Sequence, residues 1–280
     1  MILEQQEEGR EPHGLRFIGP GLVVGNERFA RAFDAVEDFA RSWTRLLGGS
    51  RVRSTGTLTT DTVHAAGYFA NFPQHVFTKS PYLQEGTEQP PVGYATSPAA
   101  CLCIYEALRD SSLESRVTYG LTANCGRYEA GSWEDPLRLA SFNAFEVVSL
   151  GPREQTIDHF HRCRDLLERI AERFPGATVP VATDAFFGPA AAQKQAYQER
   201  VKVKYELEAT LTDGRSVSIG SVNSHGQVFG KGFGITTPDG PAFSACFAIG
   251  LERFTIACMD AFGDDPESWP DLGLGKEDIS

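Results

Sequence analysis

Three features of this 280-residue sequence predict an α+β fold, an antiparallel sheet flanked by helices. From Val201 to Leu211 apolar and polar residues alternate strictly, the period of a strand with one face in a core and one in water. Asp213-Gly214 then offers a tight turn into Val217-Ser218-Ile219-Gly220-Ser221, which pairs the two strands as a hairpin. Elsewhere, two long segments space their apolar residues three and four apart, the period of an amphipathic helix.

In chain order, residues 1–15 are polar and rich in Glu, Gln and Gly, so a flexible tail is expected, with residues 16–280 forming one domain. Asn26 is a helix cap ahead of Phe29, Phe33, Val36, Phe39, Ala40, Trp43, Leu46 and Leu47, and Gly48-Gly49 stops that helix. The run Ile104 to Leu108 looks helical, and short strands are expected near 116–123 and 143–150. Pro152 opens a second amphipathic helix carrying Ile157, Phe160, Leu166, Leu167 and Ile170, which Pro175-Gly176 ends. After the hairpin, a strand near 241–249 leads into a last helix that begins past Gly250.

Composition narrows the function. With 41% hydrophobic residues the chain has enough apolar side chains for a sizeable core, and wholesale disorder is excluded. Lys and Arg number 26 against 37 Asp and Glu, and the net charge of −11 argues against gripping nucleic-acid phosphate. No apolar run approaches the ~18 residues that span a bilayer. The acidic start from Met1 to Glu8 is unlike a secretory signal, so a cytoplasmic protein is expected. Six cysteines (Cys101, Cys103, Cys125, Cys163, Cys246, Cys258) then read as reduced thiols. None forms a CxxC pair, so any metal site must draw on distant segments.

Three local features bear on chemistry. Arg127-Tyr128-Glu129 follows a strand, and Gly250-Leu251-Glu252-Arg253 opens the last helix; alone, each reads as well as a surface ion pair and a helix start. Glu146 lies inside the apolar run Ala144 to Val148, and a carboxylate buried there must be paired, protonated or metal-bound. His159 and His161 are two apart on a helix and point in different directions, so a solvated or capping role is expected. Cys103, Cys125, Cys163 and Cys258 are read as packing residues.

In order along the chain come Ser97-Pro98-Ala99-Ala100-Cys101, Arg127-Tyr128-Glu129, Phe142 with Glu146, Ala182 to Gly188, Ser221 to His225, and Ala245 to Arg253. With these blocks the chain resembles the amino acid–carrier protein ligases over roughly residues 60–270. These are truncated relatives of the atypical zinc-dependent seryl-tRNA synthetase. The resemblance implies a homodimeric class II aminoacyl-tRNA synthetase-like catalytic domain. Such a domain adenylates a small amino acid, glycine or alanine, with ATP and Mg²⁺. It then passes the aminoacyl group to the phosphopantetheine thiol of a carrier protein, with tRNA and membrane not expected as partners.

The resemblance also implies roles. Arg127 matches the motif 2 arginine on the α-phosphate, and Glu129 the acid near the nucleotide or aminoacyl end. Phe142 matches the aromatic stacked on adenine, with Arg253 on its opposite face reaching the terminal phosphates and Arg138 near the ATP tail. Cys101, Glu146 and Cys246 match three zinc ligands, 45 and 100 residues apart in sequence. The substrate's neutral α-amino group would take the fourth tetrahedral position. Ser221 and Asn223 are candidates for Mg²⁺ or substrate contacts, Asp184 for the substrate amine, and His225 equally for a core polar group. The chain departs from the family pattern at Asn143 and Phe145, where basic residues are expected, and at Gly126, where an aromatic is. Two alternatives stay open: tRNA aminoacylation, and a non-catalytic synthetase paralogue that binds a ligand or partner.

Overall fold

A computed structural model describes residues 12–81, 92–128 and 133–273. The tail expectation falls mostly outside them, but its boundary moves: Leu15 is only 3% exposed and packs into the core. It opens a hairpin of Leu15–Gly19 against Leu22–Gly25.

Helix α1 (Glu27–Leu46) starts as its sequence predicts, with the Asn26 side chain accepting from the Phe29 N–H. The central sheet has six strands: β1 (Ser50–Arg51), β2 (Val117–Gly126), β3 (Ser141–Gly151), β4 (Lys204–Thr210), β5 (Ser216–Gly226) and β6 (Phe243–Gly250). They lie in the order β1-β2-β3-β6-β5-β4. Only the short β1 runs parallel to its neighbour, and every other pair is antiparallel. The remaining helices that matter here are α2 (Leu102–Ala107), α3 (Arg153–Ala171), α4 (Ala191–Val201) and α5 (Leu251–Phe262).

Alternation along the strands divides the sheet into two faces. Phe145 and Val147 of β3, Ala245, Phe247 and Ile249 of β6, Val222 of β5 and Leu207 of β4 join one core with α1, α3 and α5. At its centre the Trp43 ring meets Phe145, Phe247 and Phe254 edge-on, with centroids 6.3, 5.3 and 5.8 Å away. The indole N–H donates to the Leu272 carbonyl at 2.7 Å, so its one polar atom is satisfied. The intervening residues Ala144, Val148 and Cys246 face the other way, into a second core with Cys101, Tyr105, Phe229 and Phe233. That second face carries the site.

Two expectations are corrected. The strand predicted from Val201 begins at Lys204, because residues 191–201 form α4, which Lys202 ends in the left-handed conformation (φ 51°). Ala, Gln, Lys, Glu and Arg favour a helix there, but without an apolar face no periodicity announces it. His159 is fully buried instead of solvated, its Nε2 3.2 Å from the Cys163 sulfur one turn on. Among the described residues no helix is long and apolar enough to cross a membrane.

Candidate active site

The second face of the sheet floors a cleft lined by residues of β3, β5, β6, the start of α5, and the segments flanking β2 and α4. Two arginines line it. Arg127 leaves β2 with its backbone N–H donating to Ala140 O (3.2 Å) and its Nε to Pro98 O (2.8 Å). These bonds set the guanidinium 5.7 Å from the centroid of the Phe142 ring. Arg253, on the first turn of α5, donates from Nε to Leu137 O (2.9 Å) and from Nη1 to Ser218 O (3.1 Å). It thereby ties α5 to β5 and to the loop that also brings Arg138 to the cleft. Glu129 lies outside the described residues.

A carboxylate that sequence reasoning passed over supports the start of α5. Glu252 is 8% exposed, and both its oxygens accept from the Asn143 backbone N–H, at 3.0 and 2.8 Å. The Asn143 amide adds a third bond at 2.8 Å. Burial still pushes the Glu252 carboxyl up from the ordinary carboxylate range. The clamp gives Asn143 a structural purpose: it pins the start of α5 to β3. The hint was available, since Glu252 stands beside Arg253 in a block already singled out. Phe145, a second departure, points into the helical core against Trp43.

The three predicted ligands line the same cleft. Cys101 precedes α2, while Glu146 and Cys246 sit diagonally on β3 and β6, since Cys246 pairs with Val148 and Glu146 with Ala248. All three are 3–4% exposed. The Ala100 N–H donates to Glu146 Oε1 at 2.8 Å, while Oε2 is buried with no hydrogen-bond partner. Burial, and then the negative charge each group would feel from its neighbours, raises Cys101 and Cys246; burial alone suffices to lift Glu146. Among the described residues no three His, Cys, Asp or Glu side chains stand in a ready-made metal-binding arrangement. The chemistry of the donors still fits zinc: two soft thiols, a carboxylate, and one carboxylate oxygen left over.

Around this trio the predicted polar residues fall into two groups. Asn223 pairs across the sheet with Cys246, its amide donating to Ser221 Oγ (3.1 Å) and facing the Cys246 sulfur at 3.8 Å. His225 meets the same sulfur, and burial holds its imidazole down to about 4, so it is neutral near pH 7. Asp184 stands apart, bonded to Lys204 Nζ (2.7 Å) and Gln198 Nε2 (2.8 Å), and Lys204 also meets Glu206 at 2.9 Å. Burial opposes ionisation of Asp184, but Lys204 and Gln198 outweigh it and hold the carboxyl below its ordinary range. Its charge is therefore matched from within the protein.

Comparison with known proteins bears on the relatives and the fold. Amino acid–acyl-carrier-protein ligase 1 of Bradyrhizobium diazoefficiens is 32% identical over 190 residues, covering 66% of this chain and 57% of the relative. Ligase 2 of the same organism is 31% identical over 199 residues, 67% of this chain and 59% of its own length. The chain is a homologue of these ligases. It spans less than three-fifths of their length. The type-2 serine–tRNA ligase of Methanopyrus kandleri is a more distant relative, 27% identical over 210 residues, 70% of this chain and 40% of the ligase. A solved structure of M. kandleri SerRS in complex with A. aeolicus tRNASec superimposes with a TM-score of 0.78 at 22% identity, covering 99% of this chain and 60% of that one. The fold is thus the class II synthetase-like one that the sequence predicts. No protein-family model matches the chain.

Proposed function

We propose that this chain is an ATP-dependent, Mg²⁺-requiring enzyme that activates a small amino acid, glycine or alanine, and loads it onto the phosphopantetheine thiol of a carrier protein. The observation that carries the reading is that Arg127, Phe142, Arg253, Cys101, Glu146 and Cys246 all line one cleft, in a homologue of carrier-protein ligases.

In the first step a carboxylate oxygen of the amino acid attacks the α-phosphorus of ATP, the bond to the β-phosphate oxygen breaks, and pyrophosphate leaves. Negative charge builds on the phosphoryl oxygens as this happens. A guanidinium already fixed in place stabilises that charge without reorganising, which is the role of Arg127, held by the Pro98 carbonyl. Phe142 offers a flat face for adenine, and Arg253 charge for the outer phosphates, with Arg138 beside it. Glu129 is assigned to the nucleotide or aminoacyl end. In the second step the thiol sulfur attacks the acyl carbon, AMP leaves, and the thiol proton is lost.

Cys101, Glu146 and Cys246 would hold zinc, which when bound selects a substrate bearing a free amine. Asn223 and Ser221, next to Cys246, line the same region as candidates for substrate or Mg²⁺ contacts. Asp184, already matched by Lys204, is a weaker partner for the substrate amine than its sequence block suggested. We read the working form as a cytoplasmic homodimer, and the −11 charge supports a partner other than tRNA.

The test is loading. With ATP, Mg²⁺ and a panel of amino acids, phosphopantetheinylated carrier proteins should gain the mass of one small aminoacyl group, while the unmodified carriers gain none. Loading of tRNA alone, or of nothing by folded, zinc-containing protein, would overturn the reading.

A further inference from the structure

His225 lies next to the predicted zinc ligands but belongs to none of the roles above, and its surroundings fix it closely. Its Nδ1 stands 3.1 Å from Ser244 Oγ and 3.3 Å from the Tyr105 hydroxyl. The ring packs edge-on against Phe229, centroids 4.9 Å apart, and against Tyr105 at 6.4 Å. Those contacts leave Nε2 facing the Cys246 sulfur at 3.5 Å. We propose that His225 is a positioning residue that presents Cys246 as a thiolate ligand, donating from Nε2 while Ser244 and Tyr105 hold the opposite nitrogen. This rests on the zinc reading of the preceding subsection.

Donors and acceptors around the ring decide which nitrogen carries the hydrogen. A sulfur bound to a metal has no hydrogen to give, so a ring nitrogen in contact with it must carry the hydrogen or be repelled. Both hydroxyls at Nδ1 can turn to donate, which leaves Nδ1 bare and puts the proton on Nε2. The Asn223 amide reaches the same sulfur at 3.8 Å, so two side-chain N–H donors converge on Cys246. Both donors would aim their hydrogens at the sulfur once it is metal-bound. Partners of this kind orient a ligand and tune it without touching the metal.

Cobalt(II) titration of the full chain, followed by thiolate-to-cobalt charge-transfer absorbance, tests the assignment. Losing the N–H donor raises the energy of the sulfur lone pair, so His225→Leu should move the band to lower energy and weaken cobalt binding by about tenfold to a hundredfold. His225→Gln, whose amide reaches as far as Nε2, should keep the band position and most of the affinity. A merely structural role would not move the band. Should His225→Leu fail to fold, Ser244→Ala combined with Tyr105→Phe leaves the imidazole in place without its two hydroxyl partners and should shift band and affinity the same way. Wild-type band and affinity in these variants overturn the role of His225 alone. Absence of the band from the wild-type protein overturns the metal reading and this proposal with it.

Discussion

At the scale of single residues, the account turns on side chains whose positions are fixed before any substrate arrives. Arg127 is held by the Pro98 carbonyl and lies over the Phe142 ring, so its guanidinium is fixed in place. Arg127→Ala should therefore lower the adenylation rate by about a hundredfold or more, with little change in thermal midpoint. Stopped-flow or exchange kinetics on the variant check this, and an unchanged rate would remove Arg127 from the chemistry. The residues of this site were legible only in part. Cys101, Glu146 and Cys246 are too far apart in sequence for any local motif, and only their blocks, matched in order, pointed to one site. Glu252 was missed because a carboxylate at a helix start reads as a favourable charge on the helix dipole; its burial against Asn143 depends on a strand more than a hundred residues away.

At the scale of elements, strict alternation and three-to-four spacing were reliable because each follows from one face being buried. The β4–β5 hairpin, α1, α3 and α5 all carry that signal. Helix α4 does not, since it buries no residue; propensity and polar bonds such as that of Gln198 to Asp184 hold it. Helix α3 hides a consequence for acid stability. Burial holds His159 down to about 3, whereas its ordinary value is 6.5. As pH falls below 6.5 the unfolded chain takes up this proton first, so stability present above that pH is lost on the way down. Between pH 7 and pH 5 this one group should remove about 2 kcal/mol. Urea unfolding at the two values should show that drop shrinking by a similar amount in His159→Gln, and an equal drop in both proteins would contradict the assignment.

For the whole molecule, sequence composition and tertiary structure address different questions. The net charge of −11 argues against nucleic acid, yet nothing in composition could show that one sheet face is covered by helices while the other carries a smaller core beside a cleft. Because that cleft is proposed to bind ATP in the folded state only, ligand binding should stabilise the fold. At a concentration 100 times Kd the gain is about 2.7 kcal/mol, which for a chain of this size raises the midpoint by about 5–10 °C. A thermal scan with and without Mg·ATP measures it, and an unmoved midpoint at saturating nucleotide would count against an ATP-using enzyme.

The central claim is that the cleft makes an aminoacyl-adenylate with the help of the Cys101–Glu146–Cys246 trio. Amino-acid-dependent ATP–pyrophosphate exchange, run across a panel of amino acids on zinc-replete and on chelated protein, tests it most directly. The account predicts exchange with glycine or alanine that chelation abolishes and added zinc restores. Exchange that survives full removal of zinc would contradict the role given to the trio, and no exchange with any amino acid would contradict adenylation itself.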